Sequence, residues 1–105
     1  MLIHNFNILE KIKNRIIFVI IRKLITRKLN VPKSCITLST NLKTDLGMDS
    51  LALFELAHDV MNLFHLDFID EQILAHFKTL DDIVFFVYQE NNNFQLINII
   101  KVLWF

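Results

Sequence analysis

Glycine and proline each occur only once in this chain of 105 residues, at Gly47 and Pro32. The turns that join β-strands depend heavily on these two residues. A chain that almost lacks them and is 53% hydrophobic is therefore ill suited to a turn-rich β fold or to disorder. Its length allows a single hydrophobic core. The sequence predicts one all-α domain.

A long amphipathic helix is predicted from about Asn7 to Leu29. One line of apolar residues, spaced four apart, is expected to face the core: Ile8, Ile12, Ile16, Ile20 and Leu24. Basic residues occupy the other face. Such a helix can contact nucleic acid or an anionic membrane. Proteins that bind single-stranded nucleic acid use several aromatic side chains, however, and Phe18 is the only aromatic residue of this helix. A solvated surface is the favoured interpretation.

A long loop is predicted from residue 33 to residue 49. Pro32 ends the first helix, because the residue before a proline is pushed out of the α region. Loops of this length in compact domains are usually functional. Its apolar residues are expected to anchor it on the core: Ile36, Leu38, Leu42 and Leu46. Cys35, the only cysteine, has no disulfide partner in the chain and is expected to be a small buried residue.

The stretch 45–51, Asp-Leu-Gly-Met-Asp-Ser-Leu, connects this loop to a second helix, predicted from Ser50 to about Phe64. Gly47 is expected where the backbone needs a positive φ or a close approach. Asp49 and Ser50 are typical of a helix start, which places the Ser50 hydroxyl at the N-terminus, near solvent. The helix dipole and the unpaired N–H groups make that position favourable for a phosphate on the side chain.

The second helix is predicted to have a broad apolar face and an acidic one. The apolar face is expected to include Leu51, Leu53, Phe54, Leu56, Val60, Leu63 and Phe64. Glu55 and Asp59 lie four residues apart and share a side of the helix. Together with Asp45 and Asp49, they form an acidic approach to Ser50.

The rest of the chain predicts two further helices and an extension. A short third helix covers residues 70–77, and a fourth opens with a capping box between Thr79 and Asp82. Its buried face is expected to comprise Leu80, Ile83, Val84 and Val87. Residues 1–93 form the predicted domain, with its core at 15–90. Residues 94–105 are apolar almost throughout and form an extension, whose favoured role is to pack on the same domain.

Charge divides the chain into two halves. Residues 1–43 carry nine Lys or Arg and one acid, a net charge of +8, whereas residues 44–105 carry two Lys or Arg and ten acids, a net charge of −8. The halves should attract each other in the folded state, although each surface pair contributes little.

Several classes of function are disfavoured by the same residues. His58, His65 and His76 are seven and eleven residues apart, which is not the spacing of a helical zinc site, so no metal site is expected. A serine hydrolase would need a nucleophile elbow and oxyanion glycines, which are missing. No apolar run is long enough to span a membrane and no secretory signal is evident, so a cytoplasmic location is expected. The protein is also expected to be a monomer.

The stretch 45–51 resembles the Asp-x-Gly-x-Asp-Ser-Leu attachment motif of the acyl carrier proteins, and the helix order across residues 15–90 resembles their fold. The resemblance implies a four-helix bundle with three long helices and one short, here with a possible extra C-terminal helix. It implies that 4′-phosphopantetheine, supplied from coenzyme A by a phosphopantetheinyl transferase with Mg²⁺, is attached to Ser50. Gly47 and Asp49 match the motif, and Asp49 is expected to orient the transferase and its metal.

The resemblance also implies a docking surface on the second helix for the transferase and for acyl-handling synthases and transferases. The expected docking residues are Asp45, Leu51, Phe54, Glu55, Asp59 and Met61. Ala52 departs from the family, because an acid is common at that position. Electrostatic steering is therefore expected to be weaker, and partners are expected to contact Leu53, Phe54 and Met61 more.

The sequence therefore predicts a freestanding acyl carrier protein for fatty-acid, polyketide or related lipid synthesis, with no catalytic activity of its own. An unmodified carrier-like scaffold module remains the alternative of a different class. An aminoacyl or peptidyl carrier is a further alternative, although the acid before Ser50 favours the acyl type.

Overall fold

The computed structural model describes residues 8–67 and 70–90, and in these ranges it contains four α-helices and no strand. The helices are α1 (Ile8–Leu29), α2 (Ser50–Phe64), α3 (Glu71–Ala75) and α4 (Leu80–Glu90). The predicted all-α bundle with three long helices and one short is confirmed. The boundary at residue 93 and the extra C-terminal helix lie outside the described residues.

The core forms where α1 packs against α4 and, less extensively, against α2. Its fully buried side chains come from all three long helices and from the loop between α1 and α2: Ile17, Ile20, Ile21 and Ile25 from α1, Leu56 and Val60 from α2, Leu80, Ile83 and Val87 from α4, and Ile36 and Leu42 from the loop. Burying one such side chain stabilises the folded state by about 1.5–3 kcal/mol. The core residues predicted on α4 are all buried, Val84 included.

The predicted core line of α1 is wrong at its N-terminal end. Ile8 is 75% exposed and Ile12 is 46% exposed, and no residue of α1 before Ile17 is buried. The line that stays in the core is instead Ile17, Ile21 and Ile25, with Ile20 beside it. Helix α1 is apolar on more than one side, so the spacing of its apolar residues does not decide which side the bundle covers.

The loop between α1 and α2 is anchored by fewer residues than predicted. Ile36 and Leu42 are buried and Leu46 is partly buried, but Leu38 is 44% exposed and does not anchor the loop. Cys35 is exposed, so the expectation that it is buried is also wrong. It belongs to a single 3₁₀ turn, Lys33–Cys35, in which no side chain is buried, and the chain turns into the core only at the next residue.

Backbone hydrogen bonds fasten this loop to the start of α4, which the sequence did not predict. The Leu42 N–H donates to the Lys78 carbonyl at 2.9 Å, and the Leu80 N–H donates to the Thr40 carbonyl at 3.1 Å. They flank an isolated antiparallel bridge between Asn41 and Thr79. These bonds satisfy backbone N–H and C=O groups of the loop, which have no partner within a helix.

The capping box predicted at the start of α4 is confirmed. The Asp82 carboxylate accepts the Thr79 and Lys78 N–H groups, both at 2.9 Å, and the Thr79 hydroxyl accepts the Asp82 N–H at 3.4 Å. Burial raises the pKa of the Asp82 carboxyl, but these hydrogen bonds outweigh burial and bring the pKa below its ordinary value.

Helix α3 is shorter than the predicted 70–77. Asp70 caps it by accepting the Ile73 N–H at 2.8 Å, and the helix ends at Ala75. Among the described residues, no helix is both long and apolar enough to cross a membrane.

Candidate functional site

Ser50 is the first residue of α2, and its side chain is exposed. The residue before it, Asp49, is the N-cap: its Oδ1 accepts the Ala52 N–H at 2.8 Å. Because Asp49 satisfies this N–H group, the Ser50 hydroxyl is not needed for capping. The remaining N–H groups of the first turn and the positive end of the helix dipole lie beside that hydroxyl.

Gly47 has a φ of +69°, in the left-handed region that side chains disfavour. A Cβ added there would meet no atom within 4 Å. Of the two reasons predicted for this glycine, the positive φ therefore applies and the close approach does not. The turn lets the Met48 N–H donate to the Leu42 carbonyl at 3.0 Å and buries Met48 in the core. Gly47 thus sets the direction in which the chain enters α2.

Replacing Gly47 with alanine is expected to lower the free energy of unfolding by about 1 kcal/mol, since the cost is backbone strain without a clash. Gly47→Asn is the matched control and is expected to cost less, because asparagine tolerates the left-handed region. Urea unfolding of both variants measures the difference. Equal stability of Gly47→Ala and the parent would contradict the positive-φ explanation.

Asp45 is held by the backbone of the site loop. Its Oδ2 accepts the Asn41 N–H at 2.8 Å, while the Asn41 Oδ1 accepts the N–H groups of Lys43 and Thr44 at 3.0 and 2.9 Å. The side chain of Asp45 is exposed, as a docking residue requires, but it also braces the loop.

The acids of α2 have a partner on α1. Lys28 Nζ lies 3.6 Å from Glu55 Oε1 and 3.4 Å from Asp59 Oδ2. This joins the basic and acidic halves of the chain at one point, although exposed pairs of this kind contribute only about 0–1 kcal/mol. Lys28 therefore partly neutralises the acidic surface that the sequence predicts near Ser50.

Two of the residues assigned to the apolar face of α2 lie in solvent instead. Leu51 is 65% exposed and Phe54 is 56% exposed, whereas Leu53 is buried and Met61 is partly buried. The exposure of Leu51 and Phe54 is what a docking residue requires, whereas the prediction that partners contact Leu53 is wrong because Leu53 is buried. The true buried face has strict helical spacing: Leu53, Leu56, Ala57, Val60 and Phe64.

A cleft of about 670 Å³ opens beside Ser50, between α2, α3 and the loop. Its apolar walls include Leu53, Leu74 and Phe77. Its charged lining is Lys43, Lys78 and one acid, Glu71. The sequence did not single out these two lysines, which lie far apart in the chain. The cleft can accept a molecule with an apolar body and a negative group.

The histidines considered as metal ligands lie apart and have structural positions. His65 is the left-handed C-cap of α2, His76 is the C-cap of α3, and the side chain of His58 is exposed. Within the described ranges, no group of three or more His, Cys, Asp or Glu side chains is arranged to hold a metal ion.

Comparison with known proteins identifies the family of the chain. The family model described as "Phosphopantetheine attachment site" matches residues 19–87. The chain is similar to the acyl carrier protein of Onion yellows phytoplasma (strain OY-M), with 42% identity over 71 residues that cover 68% of this chain and 92% of the relative. The acyl carrier protein of Exiguobacterium sibiricum is 37% identical over 71 residues, covering 68% of this chain and 89% of the relative. The chain belongs to the acyl carrier protein family.

Proposed function

We propose that Ser50 is the residue to which the 4′-phosphopantetheine of this chain is attached. As a family member, the chain carries acyl groups and is not an enzyme. When bound, the phosphopantetheine supplies a terminal thiol that holds the acyl group as a thioester. The observation that carries the proposal is the exposed hydroxyl of Ser50 at the start of α2, next to a cap that another residue provides.

The surroundings of Ser50 fit such a group. A phosphodiester on the hydroxyl would lie at the positive end of the α2 dipole, where negative charge is stabilised. The side chains of Lys43 and Lys78 line the adjacent cleft and outweigh the one negative charge of Glu71, while Leu74 and Phe77 give it apolar walls. The cleft therefore suits both the charged and the apolar parts of a loaded arm.

The family implies a phosphopantetheinyl transferase and acyl-handling enzymes as partners. We propose that they dock on α2 through Leu51, Phe54 and Met61, with Glu55, Asp59 and Asp45 at the edge. Because the cap bond of Asp49 uses Oδ1, the other carboxylate oxygen can face the transferase and its metal. The exposed side chains of Leu51 and Phe54 are the main docking contacts, because Glu55 is paired with Lys28 and Asp45 accepts a backbone N–H of its own loop.

We further propose that the protein is a cytoplasmic monomer without a nucleic-acid partner. We also propose that its carrier domain spans residues 1–93, with a core at 15–90, and that residues 94–105 form an extension. The four helices and the matched residues 19–87 support the core boundaries. Phe18 is buried, so α1 offers no exposed ring for a base to stack on. The lone cysteine, which cannot form an internal disulfide, fits a reducing compartment.

The test is the intact mass of the purified chain before and after incubation with coenzyme A, Mg²⁺ and a broad-specificity phosphopantetheinyl transferase. The expected result is a gain of one phosphopantetheine, mapped by fragmentation to the peptide that contains Ser50. No gain on a protein shown to be folded would favour the unmodified scaffold module instead. This second candidate is favoured by the pairing of Glu55 and Asp59 with Lys28, which reduces the negative charge that α2 offers to a transferase.

Replacing Lys28 with alanine is expected to strengthen docking of a transferase whose binding surface is basic. The change frees Glu55 and Asp59, so the KM of the transferase for the carrier should fall about two- to fivefold at low salt. The gain should shrink as salt is added. Lys33→Ala removes the same charge from an exposed turn and serves as the control, since the ion pairs of Glu55 and Asp59 are with Lys28. Equal KM values for both variants would show that Lys28 does not mask the acids.

A further inference from the structure

A second cleft, of about 440 Å³, lies between α1 and the turn at residues 36–39, and it shares no lining residue with the cleft beside Ser50. Its polar and charged lining consists of Arg15, Arg22, Thr37 and Ser39. None of the described residues that line it is acidic, so these residues contribute two positive charges and two hydroxyl groups.

The two arginines are held over one aromatic ring. The guanidinium carbons of Arg15 and Arg22 lie 5.1 and 4.9 Å from the centroid of the Phe18 ring, which is itself buried. A cation–π contact uses the face of a guanidinium and leaves N–H donors available at its edge. In the part of the chain that the structure describes, no carboxylate forms an ion pair with either arginine. Their donors are therefore available to an external acceptor.

The two hydroxyls lie on a turn that is fixed at several points. Thr37 Oγ1 lies 3.1 Å from Ser39 Oγ, and the Thr37 N–H donates to Thr40 Oγ1 at 2.8 Å. The N–H groups of Leu80 and Asp81 donate to the carbonyls of the same turn, at Thr40 and Leu38. The hydroxyls are thus positioned before any ligand arrives, which reduces the entropy cost of binding.

The acids nearest to this turn do not compete for the arginines. The backbone N–H of Asp81 donates to the carbonyl of Leu38 in the turn, and the side chain of Asp81 does not line the cleft. The carboxylate of Asp82 accepts the N–H groups of Lys78 and Thr79. The cleft therefore favours an anion.

We propose that this cleft is an anion site that binds a phosphate group, with donors from Arg15, Arg22, Thr37 and Ser39. Guanidinium groups match phosphate oxygens through paired hydrogen bonds, and a phosphate monoester with nearly two negative charges balances the two arginines. The group comes from free phosphate or from a lipid headgroup, and Leu38, 44% exposed in the same cleft, offers an apolar contact to a lipid. The site does not depend on attachment at Ser50.

The first test is a titration of the full chain with inorganic phosphate, followed by NMR of the backbone amides and the Phe18 ring. Saturable shifts at Thr37, Ser39 and Phe18 are expected. Arg15→Gln and Arg22→Gln each replace one guanidinium group with a neutral polar side chain, and each should weaken binding about tenfold. Lys11→Gln loses the same charge on the same helix outside the cleft and should change binding less than about twofold.

The second test measures cosedimentation of the same variants with phosphatidic acid vesicles and with phosphatidylcholine vesicles. Arginine-dependent binding to phosphatidic acid vesicles assigns the site to a lipid headgroup, whereas binding of inorganic phosphate without vesicle binding assigns it to a free phosphate. The absence of saturable binding in both tests overturns the proposal. An equal loss in Lys11→Gln also overturns it, since that result would indicate diffuse helix charge. Circular dichroism checks that each variant is folded.

Discussion

Alanine in place of Ser50 should give a protein that folds as stably as the parent and gains no mass from coenzyme A and a transferase. Modification should fall to zero, because alanine has no oxygen to form the ester. Stability should change by less than about 0.5 kcal/mol, because the exposed Ser50 side chain is not the cap of α2. Intact mass and urea unfolding of the same sample measure the two quantities.

Thr44→Ala is the matched control for this experiment, since Thr44 is another hydroxyl residue whose side chain lines the same cleft. It should still gain one phosphopantetheine. A mass gain in Ser50→Ala would show that another residue is the attachment point. A loss in both variants would show that the cleft as a whole has been disturbed.

Truncating Leu42 to alanine should destabilise the chain most, by about 2–5 kcal/mol, out of the roughly 5–15 kcal/mol of a typical domain. Leu42 is fully buried, and its backbone bonds both to Lys78 and to Met48. The cavity left in the core should therefore loosen the loop that leads to Ser50. Urea unfolding should show a lower midpoint, and modification at Ser50 should be slower.

Leu38→Ala is the control, because Leu38 is the same residue type in the same loop but is 44% exposed. Its cost should stay below about 1 kcal/mol. Equal destabilisation by both substitutions would mean that the loop is not anchored as the structure shows.

The parts of the fold that depend on neighbours in sequence were predictable. The start of α2, the capping box at Thr79 and Asp82, and the buried face of α4 all follow from residues three or four apart. The positive φ of Gly47 follows from one residue in a short motif. For the site, local pattern and family resemblance pointed to Ser50 and its cap.

The parts that depend on distant neighbours were not predictable in the same way. Helices α1 and α2 are apolar on more than one side, so only the packing of the bundle decides that Ile12 and Phe54 are exposed. The contact of Lys28 with Glu55 and Asp59 depends on how α1 crosses α2. The lysines of the cleft come from two loops, which nothing in the local pattern connects.

The hydrogen bonds between the site loop and the start of α4 also bear on the order in which the protein folds. Thr40 and Leu80, which they join, are forty residues apart in the chain. Closing so long a segment costs conformational entropy that only the packed helices can offset. The loop before Ser50 cannot make these bonds until Lys78 and Leu80 have been synthesised, so we expect it to reach its final shape only when α4 docks. A transferase that needs this shape would modify complete chains and leave nascent ones unmodified.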